Sequence, residues 1–103
     1  MTDKEFQTHI YQLLYGIPAG KVTSYGRLAA MAGFPKRSRM VGKILKDLPQ
    51  GGKLPWFRVT TSTGRLAFAL DSASYKRQRR LLEAEGVVFE QGKVPIKRYL
   101  WCP

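Results

Sequence analysis

The chain has 103 residues, of which 44% are hydrophobic and 24% charged, the balance of one ordinary folded domain over residues 1–103 and not of a disordered chain. One cysteine, Cys102, and one histidine, His9, leave no internal disulfide framework and no cysteine- or histidine-rich metal site. The net charge is +11, and residues 21–80 hold 14 of the 18 basic residues against only Asp47 and Asp71, so a polyanion is expected at the middle of the chain.

Thr2 and Glu5 form a capping box, and Phe6, Ile10, Leu13, Leu14 and Ile17 recur at helical spacing, which predicts an amphipathic helix over 3–15. His9 falls at the margin of that stripe and reads as a boundary residue. Gly16 to Gly20 break the helix. Thr23 or Ser24 can cap a short second helix through Leu28, Ala29 and Ala30 that stops at Gly33, with Pro35 just beyond. A third helix is expected from Lys36 to Leu48. Its apolar face is Val41, Ile44, Leu45 and Leu48, and its basic face is Lys36, Arg37, Arg39, Lys43 and Lys46. Two short helices around a tight glycine-containing turn, the second one basic, match a helix-turn-helix.

Pro49-Gln50-Gly51-Gly52-Lys53 reads as a loop, and Leu54 to Thr60 as partly extended. Thr61 to Gly64 is a turn, and Leu66-Ala67-Phe68 a second short strand. Asp71 or Ser72 can cap a fourth helix from Ser74 to Glu85, ended by Gly86. Leu81 and Leu82 anchor it, and Lys76 to Arg80 make its first half basic. Val87-Val88-Phe89 and Val94-Pro95-Ile96 suit a hairpin around Gln91-Gly92, and Tyr99 and Trp101 should pack back on the domain. The expected fold is mainly α (α+β), a winged-helix-like helix-turn-helix with a small strand pair. No signal-peptide pattern and no membrane-spanning apolar run appear, and the basic stretches lack the aromatic face of an interfacial helix. A cytoplasmic protein without membrane contact is therefore expected.

Four motifs in register carry a family resemblance over roughly residues 3–86. Ile17-Pro18-Ala19-Gly20-Lys21-Val22-Thr23-Ser24-Tyr25-Gly26-Arg27-Leu28-Ala29 strongly resembles the segment entering the DNA-binding helix-turn-helix of O6-alkylguanine-DNA alkyltransferases. Arg37-Ser38-Arg39-Met40-Val41-Gly42 resembles that family's recognition helix, and Leu81-Leu82-Glu83-Ala84-Glu85-Gly86 its following helix end. Pro55-Trp56-Phe57-Arg58-Val59 falls where the enzymes have Pro-Cys-His-Arg-Val. Trp56 thus stands at the acceptor cysteine and Phe57 at the histidine beside it. This is the mark of the alkyltransferase-like proteins, which resemble the enzymes' DNA-binding domain but accept no alkyl group. Glu85 matches the carboxylate of the enzymes' relay and is left without a relay to serve.

Elementary chemistry agrees. Alkyl transfer needs a nucleophile activated by a neighbouring base, and an indole supplies no thiolate. The dispersed four glutamates and three aspartates show no metal-nuclease arrangement, and no glycine-rich phosphate loop is present, so a binder without catalytic residues, metal or other cofactor is expected.

The resemblance implies recognition of O6-alkylguanine in duplex DNA from the minor groove, with the lesion flipped out, the DNA bent, and the site handed to nucleotide excision repair proteins of the UvrA type. Alkylation at O6 removes the N1 proton and weakens pairing, which makes flipping cheaper. Arg39 matches the family's intercalating arginine, whose guanidinium can fill the vacated stack and bond the orphaned cytosine; its bland role is a phosphate contact. Tyr25 matches the tyrosine that crowds the adjacent phosphate and lines the pocket. Ser24, Arg37, Ser38 and Gly42 fall where the family contacts phosphates, Lys36 and Lys43 add non-specific attraction, and Ser62 is a further phosphate candidate. Trp56 would be the wall against which the alkyl group rests, with Val59 and Ala69 at the matching pocket positions; small Ala69 suits bulky adducts. Leu48 stands at the enzymes' hinge asparagine, and the stretch from Val87 to Pro103 is a candidate surface for a repair partner.

Two other readings compete. A helix-turn-helix regulator reading sequence from the major groove predicts a dimer, and no heptad or dimerisation helix is visible, so a monomer is expected. A residual alkyltransferase acting through Cys102 has no histidine near that thiol in sequence.

Overall fold

The computed structural model describes residues 2–48 and 52–103. The loop expected at 49–53 lies, over Pro49, Gln50 and Gly51, outside the described residues.

Helix α1 runs Asp3–Gly16, opened by the capping box: the Glu5 N–H donates to Thr2 Oγ1 at 3.1 Å and the Thr2 N–H to Glu5 Oε1 at 3.3 Å. Phe6, Ile10 and Leu14 form its buried stripe, and His9 lies outside it, exposed. After the break at 17–20 the chain enters β1, Thr23–Ser24. Ser24 then caps α2, Tyr25–Met31, its Oγ accepting from the Arg27 N–H at 3.2 Å. The end of α2 is a Schellman motif. The Phe34 N–H reaches Ala29 O at 2.9 Å and the Gly33 N–H reaches Ala30 O at 2.9 Å. Gly33 adopts φ +92°, which its missing side chain permits.

Helix α3 is Ser38–Lys46, shorter at both ends than the expected 36–48. Pro35 and Lys36 are spent on the turn, where the Arg37 N–H returns to Phe34 O at 3.0 Å, and Asp47 caps the far end. Val41 and Ile44 bury its inner face. Together with Phe6, Ile10, Leu14, Ile17, Leu28, Ala29 and Val59 they form one core cluster, so α1 is the slab on which the helix-turn-helix of α2 and α3 rests.

Trp56–Arg58 is a single 3-10 turn that leads into β2, Val59–Thr60. The two strands pair in parallel, Thr23 with Val59 and Ser24 with Thr60. The expected partner strand at Leu66–Phe68 does not form. Leu66 is buried in a second core cluster instead, with Val22, Tyr75, Leu82, Val87 and Val94. The Thr61–Gly64 turn is present, closed by the Gly64 N–H on Thr61 O at 3.0 Å.

Helix α4 is Ala73–Ala84, capped by Ser72, whose Oγ accepts from the Tyr75 N–H at 3.1 Å. Beyond it, the hairpin around Gln91-Gly92 is reduced to one antiparallel bridge, Glu90 with Lys93, and Ile96–Tyr99 turns into a short helix, α5. The tail packs back as expected. Leu100 bridges Val22 in parallel, the Trp101 N–H donates to Val22 O at 2.8 Å, and the Trp101 ring joins the first core cluster. No described helix is long and apolar enough to cross a membrane.

Candidate nucleic-acid interface

Trp56 is carried on a turn that is pinned from two sides. Gln78 of α4, 1% exposed, donates its Nε2 to both Phe57 O and Val59 O at 3.0 Å. On the other side, Arg58 Nε bonds the Glu85 carboxylate at 3.0 and 3.2 Å, Arg58 Nη2 makes a further short contact to Glu85 Oε2, and Arg58 Nη1 reaches Ile17 O at 2.7 Å. Glu85 Oε1 also accepts the Gly20 N–H at 3.0 Å. Burial alone would raise the Glu85 pKa, but the Arg58 hydrogen bonds and the Gly20 N–H outweigh it and hold the carboxyl below its ordinary value. Glu85 therefore fastens the end of α4 to the Trp56 turn and to the loop before β1.

With the turn fixed, the half-buried Trp56 ring meets Phe57 edge-to-face, 5.9 Å between centroids at 89°. It opens on a cleft of about 780 Å³. One wall is α3, through Ser38, Arg39, Gly42, Leu45 and Lys46, positions that helical phasing stacks on one face. Tyr25, at the first turn of α2, adds a half-buried ring, and burial raises its hydroxyl pKa. Trp56, Ala67, Phe68, Ser74 and Arg77 also line the cleft. Arg39, Lys46 and Arg77 make the cleft cationic, and no carboxylate lines it. A second hollow, about 660 Å³ between Thr63 and Glu90–Ile96, contains none of the expected site residues.

The structure thus brings Tyr25, Ser38, Arg39, Gly42 and Trp56 into one cleft, and Leu48 lines it as well. Other expected residues stand elsewhere. Ser24 is 4% exposed because its hydroxyl caps α2. Arg37 turns toward α1, paired with Asp3 at 3.1 Å and lying over the rings of Phe6 and Phe34 at 5.4 and 5.5 Å. Val59 is fully buried, its N–H on Trp56 O and its carbonyl held by Gln78, so its backbone is not offered to the cleft. Ala69 is exposed but outside the lining, which Ala67 and Phe68 supply in its place. Lys36, Lys43 and Ser62 are exposed surface residues outside the cleft, as is Cys102.

Sequence reasoning missed Lys46, Phe68, Ser74 and Arg77 as cleft residues. Lys46 was within reach, since it lies on the helical face of Ser38, Arg39 and Gly42. Phe68, Ser74 and Arg77 depend on how α4 docks behind the Trp56 turn, which no local pattern encodes.

Residues 5–87 match the family model of the 6-O-methylguanine DNA methyltransferase DNA-binding domain. The chain is 46% identical over 100 residues to the DNA base-flipping protein of Vibrio parahaemolyticus, covering 96% of this chain and 98% of that one. It is 38% identical over 104 residues to alkyltransferase-like protein 1 of Schizosaccharomyces pombe, covering 96% of each. The crystal structure of S. pombe Atl1 in complex with damaged DNA containing O6-carboxymethylguanine superposes with a TM-score of 0.92 at 37% identity, covering 100% of both chains.

Proposed function

Because this chain belongs to the family of the 6-O-methylguanine DNA methyltransferase DNA-binding domain, as an alkyltransferase-like member, we propose that it is a non-enzymatic sensor of O6-alkylguanine in duplex DNA. The observation that carries this reading is the cleft in which Trp56, Arg39 and Tyr25 meet. A cleft roomy enough for a purine, lined by an indole and an arginine, suits a flipped base better than a continuous base stack. The names and contents of the relatives support it: one is a base-flipping protein and another holds damaged DNA.

In this reading α3 approaches the minor groove. Arg39 enters the stack as the damaged nucleotide leaves it, filling the void with a planar group that can also donate to the unpaired cytosine. Tyr25 crowds the phosphate beside the flipped nucleotide. The guanine enters the cleft and its alkyl group lies against Trp56, whose indole N–H is a donor for the base. Gly42 lets the helix come close to the backbone; a side chain there would stand in open space today and against the duplex in the complex. Ser38, Lys46 and the exposed Lys36 and Lys43 supply phosphate contacts.

No alkyl transfer follows. The indole offers no thiolate, and Cys102 lies outside the cleft. Binding without repair leaves the lesion in place, so a monomer on bent DNA acts as a flag. The proteins that receive it are proposed to be those of nucleotide excision repair.

Equilibrium binding to one duplex with and without a central O6-methylguanine tests the proposal. Tighter binding to the modified duplex is expected. Equal affinity would favour a helix-turn-helix regulator with no interest in damage.

A further inference from the structure

Arg77, on α4, lines the cleft with its guanidinium carbon over the Trp56 ring, 5.8 Å from its centre. That is within cation–π range. The ion pairs among the described residues are Arg37–Asp3, Arg58–Glu85 and Arg79–Glu83, so Arg77 has no carboxylate of its own. Its position differs from that of the other cleft cations. Arg39 and Lys46 lie on α3, the wall that meets the duplex in the reading above. Arg77 lies on α4, beside the indole against which that reading places the alkyl group.

A methyl or other neutral alkyl group needs only the apolar face of Trp56. It gives a guanidinium beside that face nothing to bond. When DNA closes the cleft, Arg77 loses water, and an unpaired cation there carries a desolvation cost. An adduct that ends in a carboxylate removes the cost. Its two oxygens fit the two-pronged guanidinium, and its methylene can still rest on the ring. We propose that Arg77 makes this pocket selective for O6 adducts with an anionic terminus over neutral adducts of the same size. The proposal rests on the cleft being the lesion pocket and goes beyond it by assigning the discrimination to one residue and one chemical class.

Three duplexes of one sequence test it, with guanine, O6-carbamoylmethylguanine or O6-carboxymethylguanine at the centre. The two adducts are nearly isosteric and differ by one charge. Competition binding with the full chain at fixed salt should give about fivefold tighter binding of the carboxymethyl duplex than of the carbamoylmethyl duplex. Arg77→Gln should bring that ratio close to one while weakening the carbamoylmethyl and unmodified duplexes by one common small factor. Arg80→Gln removes the same charge from an exposed position of α4 outside the cleft and should leave the ratio intact. A wild-type ratio near one, a ratio that survives Arg77→Gln, or a ratio that falls equally in Arg80→Gln overturns the proposal. Modified duplexes that bind no better than unmodified guanine would instead overturn the lesion-pocket reading, and this inference with it.

Discussion

In the proposed function two residues divide the work of recognition, and they make different demands on the DNA. Arg39 is proposed to fill the stack that the damaged base leaves, so most of its contribution is expected only when a base has been flipped. Arg39→Ala is expected to weaken binding to an O6-methylguanine duplex about tenfold or more, and binding to unmodified duplex by only the few-fold loss of one phosphate contact. Anisotropy titration of both duplexes checks it, and equal losses would make Arg39 a backbone contact. Trp56 is proposed to act on the alkyl group itself. Trp56→Ala should bring the ratio of modified to unmodified affinity to within about twofold of one while leaving the helical circular dichroism intact, because the indole is a cleft wall and not a buried anchor. The same residues were legible in the sequence, since each sits inside a motif with its neighbours in register. Ser24, Arg37 and Val59 lie in those motifs too, yet the fold draws them into a cap, a contact with α1 and the core. A motif fixes the order of residues along the chain; which way a side chain faces depends on the packing around it.

At the scale of elements, the site depends on short pieces held by non-local bonds. The two-residue strands are too brief to show alternation, and β2 finds its partner before α2 and not in the segment that follows it. Helices α1 and α4 were legible because caps and apolar spacing repeat over three or more turns, and α2 and α3 because caps, Gly33 and Pro35 bound them; the parallel strand pair was not, because its information lies in tertiary docking. Ser24 belongs to both layers, pairing in β1 and capping α2. Ser24→Ala should cost about 1 kcal/mol in urea unfolding, the usual worth of an N-cap hydroxyl. Gly64 is more demanding. It sits at φ +87°, and an added Cβ would lie 2.0 Å from Val94 O, so Gly64→Ala should destabilise by more than about 2 kcal/mol in the same assay. The Glu85 clamp has a pH signature. Its folded pKa lies below the ordinary 4.5, so the unfolded chain takes up the proton first as pH falls. The clamp's stabilisation is whole above about that value and is lost below it. Urea midpoints of wild type should therefore fall between pH 5 and 3 more steeply than those of Glu85→Gln; parallel profiles would show that the pair contributes nothing.

The whole molecule adds a charge of +11 on a body 38 Å in its longest dimension, about eleven base pairs of duplex. Affinity for any DNA should therefore be steep in salt. With about six phosphates neutralised, log K against log salt falls with a slope of about −5. In the proposed function the preference for damaged over intact guanine arises in the cleft, from shape and stacking, and should change by less than about twofold as salt is raised.

In the proposed function this protein holds an alkylated guanine without taking its alkyl group. Incubation with a duplex carrying O6-[methyl-labelled]guanine, followed by isolation of the complex and separate digestion of protein and DNA, measures both halves at once. The labelled duplex should be retained in preference to an unlabelled, unmodified competitor, with all label recovered in the DNA. Label on the polypeptide, at Cys102 or elsewhere, or retention no better than that of the competitor, would contradict it.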